Sequence, residues 1–98
     1  MFYTVTPSLY DETAHRLSDA IGRRDYFSGS VAFDFGDTEC RFTATLLLTR
    51  TPVDYPEGTV SVLTDAVPVW WEFHTTTDAG ELLNDFDFGE LRSRITAL

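Results

Sequence analysis

The 98-residue chain contains no lysine, a single cysteine and no long apolar run. One cysteine cannot form an internal disulfide, which excludes a small domain held together by disulfides. Apolar patches such as Leu46–Leu48 are far shorter than the roughly 20 residues of a membrane-spanning helix. The first residues lack a basic segment followed by an apolar stretch, so we expect no signal peptide and a cytoplasmic location.

Basic residues are scarce as well, because seven arginines stand against 16 acidic residues and give a formal net charge of −9. Most of the excess lies in residues 51–98, which carry nine acids and two arginines. This charge repels a phosphate backbone and an anionic lipid surface, and therefore argues against direct nucleic-acid or membrane binding. It can instead attract a protein with a basic surface, although net charge also serves solubility alone.

The apolar content is high enough for a folded core. Apolar residues make up 43% of the chain and include eight Phe, four Tyr and two Trp. No repeat, low-complexity segment or linker divides the sequence. We therefore expect residues 1–98 to form a single domain.

Two segments have helical periodicity. Thr6 is a suitable N-cap and Pro7 a suitable first residue for a helix over residues 6–22. Apolar residues recur there at spacings of three and four, which predicts one buried stripe; its members are Tyr10, Ala14, Leu17 and Ile21. A second helix is predicted after Asp87, with Asp87 as N-cap and Glu90 three positions later, as in a capping box.

The middle of the chain has the alternation of strands. Residues 26–50 alternate apolar and polar side chains, which is typical of antiparallel strands with one solvated face. Gly36 and Asp37 predict a tight turn that divides them into two strands. Two prolines and a glycine predict a loop over residues 51–58, and residues 59–66 fit either a short strand or irregular structure.

Strand character returns over residues 67–76, where Pro68 indicates an edge or a bulge. Strict alternation assigns one face to Val67, Val69, Trp71 and Phe73, and the other to Trp70, Glu72 and His74. A turn at Asp78 leads to a returning strand over residues 81–86. The sequence therefore predicts an α+β domain with an N-terminal helix, a three- to four-stranded antiparallel sheet and a C-terminal helix, both helices packing on one sheet face.

Trp70 is the most distinctive candidate for a functional residue. An exposed Trp beside charged groups is typical of an interface anchor; the alternative is that it packs beneath a helix or the preceding loop. Glu72 and His74 share its face two residues apart. A carboxylate can orient an imidazole or raise its pKa, as general acid–base catalysis requires, but such a pair is also common on a solvated polar face.

A second group of candidates is acidic. Asp78, Glu81 and Asp85, together with Asp87 and Glu90, lie within thirteen residues of one another. If they converge in space they form a negative patch that a basic partner could bind; the alternative is a solvated edge. Two distant histidines and one cysteine are a poor set for zinc, so we expect no metal and no cofactor.

Parts of the chain resemble a group of known proteins. The segments 67–75 and 83–88 (Val-Pro-Val-Trp-Trp-Glu-Phe-His-Thr and Leu-Asn-Asp-Phe-Asp-Phe) are similar to small uncharacterised acidic proteins of gut Bacteroidetes. The opening helix is similar too, at Leu9, Tyr10, Thr13, Ala14 and Leu17. The resemblance covers most of the chain, but it implies no activity and assigns no functional residue.

The sequence alone favours an interaction module over an enzyme. Its surface would be the face around Trp70, Glu72 and His74, or the acidic stretch 78–90. The partner would be a protein with a basic surface or a second copy of the chain paired through an exposed sheet edge. One version is an acidic decoy that occupies a nucleic-acid-binding protein. The alternative is a small hydrolase or ligand-binding domain using Glu72 and His74, although no catalytic motif is present.

Overall fold

The computed structural model describes residues 2–97. In chain order its elements are β1 (Phe2–Tyr3), α1 (Pro7–Ile21), β2 (Tyr26–Phe35), β3 (Thr38–Tyr55), β4 (Gly58–Thr77), β5 (Gly80–Asn84) and α2 (Phe88–Ile95). The predicted α+β class, with one helix near each end of the described chain, is confirmed. Neither of these helices combines the length and the hydropathy needed to cross a bilayer.

The five strands form one sheet in the spatial order β1-β5-β4-β3-β2. Strands β2 to β5 make an antiparallel meander, in which tight two-residue turns join consecutive strands. Strand β1 lies parallel to β5 and pairs Phe2 with Leu83 and Tyr3 with Asn84. The prediction of three to four antiparallel strands was therefore wrong in number and missed one parallel pairing, because two residues are too few to leave a periodic pattern.

The helices lie against one face of the sheet, and we call the other the open face. Alternate residues of β3 are fully buried on the helix side, which agrees with the alternation predicted for residues 26–50: Cys40, Phe42, Ala44 and Leu46. Helix α1 buries its predicted stripe of Tyr10, Ala14, Leu17 and Ile21, together with Leu9 and Thr13. Beneath α2 the ring of Phe86 stacks on Phe73 with centroids 4.0 Å apart. The side chains of the open face are consequently left to solvent or to a partner.

Helix α1 has the N-cap that its sequence predicts, and a glycine ends it. The Thr6 hydroxyl accepts a hydrogen bond from the Leu9 N–H at 3.3 Å, and the helix ends at Gly22 with φ +60°. The guanidinium of Arg50 donates to the carbonyl oxygens of Gly22 at 2.8 Å and Arg24 at 2.9 Å. These bonds satisfy carbonyls at the helix end and tie α1 to β3.

Helix α2 begins after Asp87 as predicted, but the predicted capping box does not form. The Asp87 side chain makes no capping hydrogen bond, and the Glu90 carboxylate instead contacts Arg94 at 3.0 Å. The Asp87 backbone N–H donates to the hydroxyl of Tyr10 at 2.9 Å. A side chain of α1 therefore holds the start of α2 in place of the local box.

Beyond the end of β2, strands β3 and β4 continue as a two-stranded ribbon. Pairing of β2 ends at Tyr26 opposite Leu47, whereas β3 and β4 stay paired out to Tyr55 opposite Gly58. The predicted loop over residues 51–58 was wrong except for the turn at 56–57, because Pro52 does not interrupt the strand. Alternation from the tight turn points the backbone nitrogen of residue 52 away from β4, where a missing N–H costs no ladder bond.

The alternation predicted across residues 67–73 was also wrong at its start. Thr45 lies opposite Trp70 and Leu46 lies opposite Pro68, so Val69 is an extra residue in a β-bulge. The bulge reverses the alternation before it and leaves the side chains of Val67 and Val69 exposed. The indication of a bulge from proline is confirmed.

Candidate functional site

The open face carries a group of exposed apolar side chains near the base of the ribbon. Tyr26 lies opposite Leu47, and Leu47 lies opposite Val67, so the three form a row across β2, β3 and β4. Side chains directly opposite on one face have Cβ atoms about 5 Å apart, which is within contact range. With Val69 and Trp70 they form what we call the apolar patch, in which each residue is 44–63% exposed.

Trp70 lies on the open face as the alternation predicted and is 48% exposed. Its neighbour Trp71 points to the helix side, with its ring centroid 5.7 Å from that of Phe86 and 6.2 Å from that of Phe88. The interface-anchor hypothesis therefore has the exposure that it requires. Sequence reasoning missed Leu47, although an apolar side chain in the threonine series of β3 is a recognisable signal.

Glu72 and His74 are brought together, and Glu81 joins them from β5. The His74 Nε2 lies 3.1 Å from a Glu72 oxygen, and the Nδ1 lies 2.8 Å from a Glu81 oxygen. All three side chains are at least 41% exposed. Two of the predicted acidic and polar candidates thus contact the same imidazole.

This arrangement favours the protonated imidazole. Hydrogen bonding to Glu72, and then to Glu81, raises the pKa of His74 above its ordinary value. A neutral imidazole can donate to one carboxylate only, whereas the imidazolium donates to both. Because both nitrogens face a carboxylate, neither is free to take a proton from a substrate. In this geometry the protonated His74 links β4 to β5 through its contact with Glu81.

Acidic side chains gather at the far end of the open face, where the β2–β3 and β4–β5 turns meet. A shallow cleft there is lined by Asp34, Asp37, Glu39, Thr76, Thr77 and Asp78. We call this region the acidic end. Thr76 of β4 pairs in register with Glu39 on one side and with Glu81 on the other, and Glu72 lies farther along β4, opposite Thr43. Acids from residues 34–39, which sequence reasoning did not include, thus join Asp78 and Glu81.

The other candidates of the acidic stretch 78–90 lie elsewhere and have structural partners. The Asp85 carboxylate accepts a hydrogen bond from the Val5 N–H at 2.7 Å, which joins the segment before α1 to the segment before α2. Asp87 precedes α2, and Glu90 pairs with Arg94. The stretch therefore does not converge as one patch. Asp78 and Glu81 lie at or beside the acidic end of the open face, and Asp85 does not.

Three features that could support catalysis are a cleft, a reactive cysteine and a metal site, and none of them is found at Glu72 and His74 among the described residues. The two clefts between the ribbon and the end of α1, like that at the acidic end, are lined by other residues. Cys40 is fully buried, and burial raises the pKa of its thiol to about 11, so it is not a thiolate at neutral pH. Within residues 2–97, no three His, Cys, Asp or Glu side chains are placed to hold a metal ion.

Comparison with known proteins adds no relative to this description. The chain matches no protein-family model, and neither curated proteins nor solved structures give a match. The function must therefore be argued from the open face itself.

Proposed function

We propose that the chain is a cytoplasmic protein-interaction module that binds a basic protein partner through its open face. The observation that carries the proposal is the apolar patch. Tyr26, Leu47 and Val67 adjoin in register across three strands, Val69 and Trp70 follow Val67 along β4, and each of the five is 44–63% exposed. A contiguous exposed apolar surface is a usual mark of an interface, and Trp and Tyr are common among the residues that dominate binding energy.

The charge beside the patch indicates the chemistry of the partner. Glu72 and Glu81 lie on the same face at 50% and 64% side-chain exposure, and the acidic end lies beyond them. Exposed acids beside an apolar centre attract a complementary basic surface and speed its association. The expected partner therefore offers an apolar side chain to the patch and arginine or lysine side chains to the acids on one side of it.

The test is affinity capture from cells of the source, followed by measurement of the captured protein's affinity at low and high salt. The Trp70→Ala variant should bind about 30-fold more weakly or worse, as expected for an interface anchor. Tyr55→Ala is the matched control, because Tyr55 is 47% exposed but lies at the ribbon tip. It should change affinity less than about twofold, since surface positions away from a binding centre contribute little.

Two results would overturn the proposal: equal affinities of wild type and Trp70→Ala for every captured protein, or affinities that salt leaves unchanged. The decoy version makes a narrower prediction. If the partner binds nucleic acid through the same basic surface, duplex DNA should compete with the chain for it. The hydrolase or ligand-binding alternative has less support, because both nitrogens of His74 are engaged and neither Glu72 nor His74 lines any of the three clefts described above.

A further inference from the structure

Among residues 2–97, strand β2 pairs with β3 alone and so forms a long free edge of the sheet. The Leu48 N–H donates to the Asp25 carbonyl at 3.0 Å, which fixes the even-numbered residues of β3 as those that bond towards β2. Antiparallel alternation then bonds the odd-numbered residues of β2 to β3 and points the even-numbered backbone groups outwards. Residues 26, 28, 30, 32 and 34 therefore present their N–H and C=O groups to the free edge.

The opposite edge of the sheet is protected against pairing with another strand, whereas the β2 edge is not. On β4, Pro68 removes an outward donor, Val69 forms a bulge, and the Asn84 amide donates to the Phe73 carbonyl at 3.0 Å. These are ordinary devices against edge pairing. Strand β2 runs without a register shift, contains no proline or basic residue, and exposes its centre at residues 28–30. Its backbone groups are open to a further strand.

We propose that β2 pairs antiparallel with β2 of a second copy, with Ser30 of both copies on the two-fold axis. Charge and size favour this occupant over an unrelated strand. Residues 26–33 carry no charge, so the uncharged centres of two highly acidic chains meet. The register places each Asp34 opposite Tyr26 of the other copy, which keeps the two Asp34 carboxylates at opposite ends of the interface. Ser30 is small enough to face itself on the axis.

The pairing gives the dimer a definite form. The five residues of each β2 whose backbone groups face the free edge pair with the same five of the other copy. Each of the five pairs exchanges two bonds, so the dimer forms about ten new backbone hydrogen bonds. Even-numbered residues of both copies then point to the same side, and two five-stranded sheets become one continuous sheet. Both open faces, with both apolar patches, lie on that side. The dimer is independent of the proposed partner binding, but it would present that surface twice.

Analytical ultracentrifugation of the whole chain from about 1 µM to about 1 mM tests the dimer, over the usual range of weak to moderate affinities. The wild type should reach twice the 11.1 kDa of one chain. Ser30→Lys and Ser30→Glu should each weaken the dimer at least about tenfold, because like charges then meet on the axis. Ser30→Thr keeps the backbone N–H and a hydroxyl, and should remain dimeric.

Mixing the two charged variants separates this interface from any other. Lysine and glutamate face each other in the mixed dimer, so an equimolar mixture should regain the mass that each variant alone has lost. The Ser30→Lys chain is also less acidic than the wild type, so its loss of dimer cannot come from general repulsion. A wild type that stays monomeric throughout, or a dimer that ignores both charges at residue 30, would overturn the proposal. Neither result bears on the binding affected by Trp70→Ala.

Discussion

Leu46 and Leu47 are adjacent and identical, yet one is fully buried and the other is 56% exposed. They differ only in the face of β3 on which they lie. The helix side demands apolar side chains, because helices α1 and α2 cover it and exclude water. The open face is in contact with water and accommodates polar side chains, such as its threonines and serines. An apolar patch there is therefore not explained by folding, and this contrast is what directs attention to binding.

The largest expected effect tests that contrast directly. Leu46→Ala should lower the free energy of unfolding by about 2–5 kcal/mol, because it removes buried methyl groups and leaves a cavity. Leu47→Ala removes the same atoms from the open face and should stay within about 0.5 kcal/mol of the wild type. Urea denaturation followed by tryptophan fluorescence measures both. Equal losses at the two positions would show that the open face is covered in solution.

A smaller effect is expected at a tyrosine hydroxyl on the helix side. Tyr10→Phe should cost about 1–2 kcal/mol, because the partly buried Asp87 N–H loses the acceptor that it contacts at 2.9 Å. Tyr26→Phe is the matched control on the open face, and should leave the urea midpoint almost unchanged. If Tyr10→Phe is equally silent, the link between α1 and α2 does not hold the start of α2.

The smallest effect concerns pH on the open face. The pKa of His74 is raised, so protonation stabilises the folded state. This contribution is fully present below the unfolded pKa of about 6.5 and disappears as the pH rises through the folded pKa. For side chains this exposed we expect only a few tenths of a kcal/mol.

Two variants check this arrangement. Glu72→Gln and Glu81→Gln should each lower the pKa of His74 in an NMR titration, because each removes a carboxylate that holds the imidazolium. Comparing the stability of wild type and His74→Gln from about pH 5 to pH 9 should show a difference at the acid end only. A His74 pKa that neither glutamine variant changes would contradict the contacts in the structure.

The sequence predicted those parts of the fold in which a local pattern and a local cause coincide. Thr6, Pro7 and Gly22 define α1 because caps act within one turn, and alternation through β2 and β3 assigned the buried face. It did not predict that residues 51–55 extend β3, since Pro52 is harmless only where its nitrogen faces a free edge. That condition depends on where β2 ends, which no local pattern specifies.

The candidate site was predicted in part for the same reason. Trp70, Glu72 and His74 follow simple alternation and do share the open face. The contact of Glu81 with His74 depends on the pairing of β4 with β5, and the cross-strand row of Tyr26 and Leu47 depends on the register of β2. Register is a property of two strands together, so neither strand's own sequence could have indicated these neighbours.

The bonds from Asp85 to Val5 and from Asp87 to Tyr10 have a consequence for the order of events during synthesis. Their partners are 80 and 77 residues apart in the chain, whereas β2 to β5 pair with the next strand along. During translation, the residues of α1 are synthesised long before Asp85 and Asp87, which form these hydrogen bonds. The strand meander can form as it emerges, but α1 waits for its final contacts until α2 has been translated.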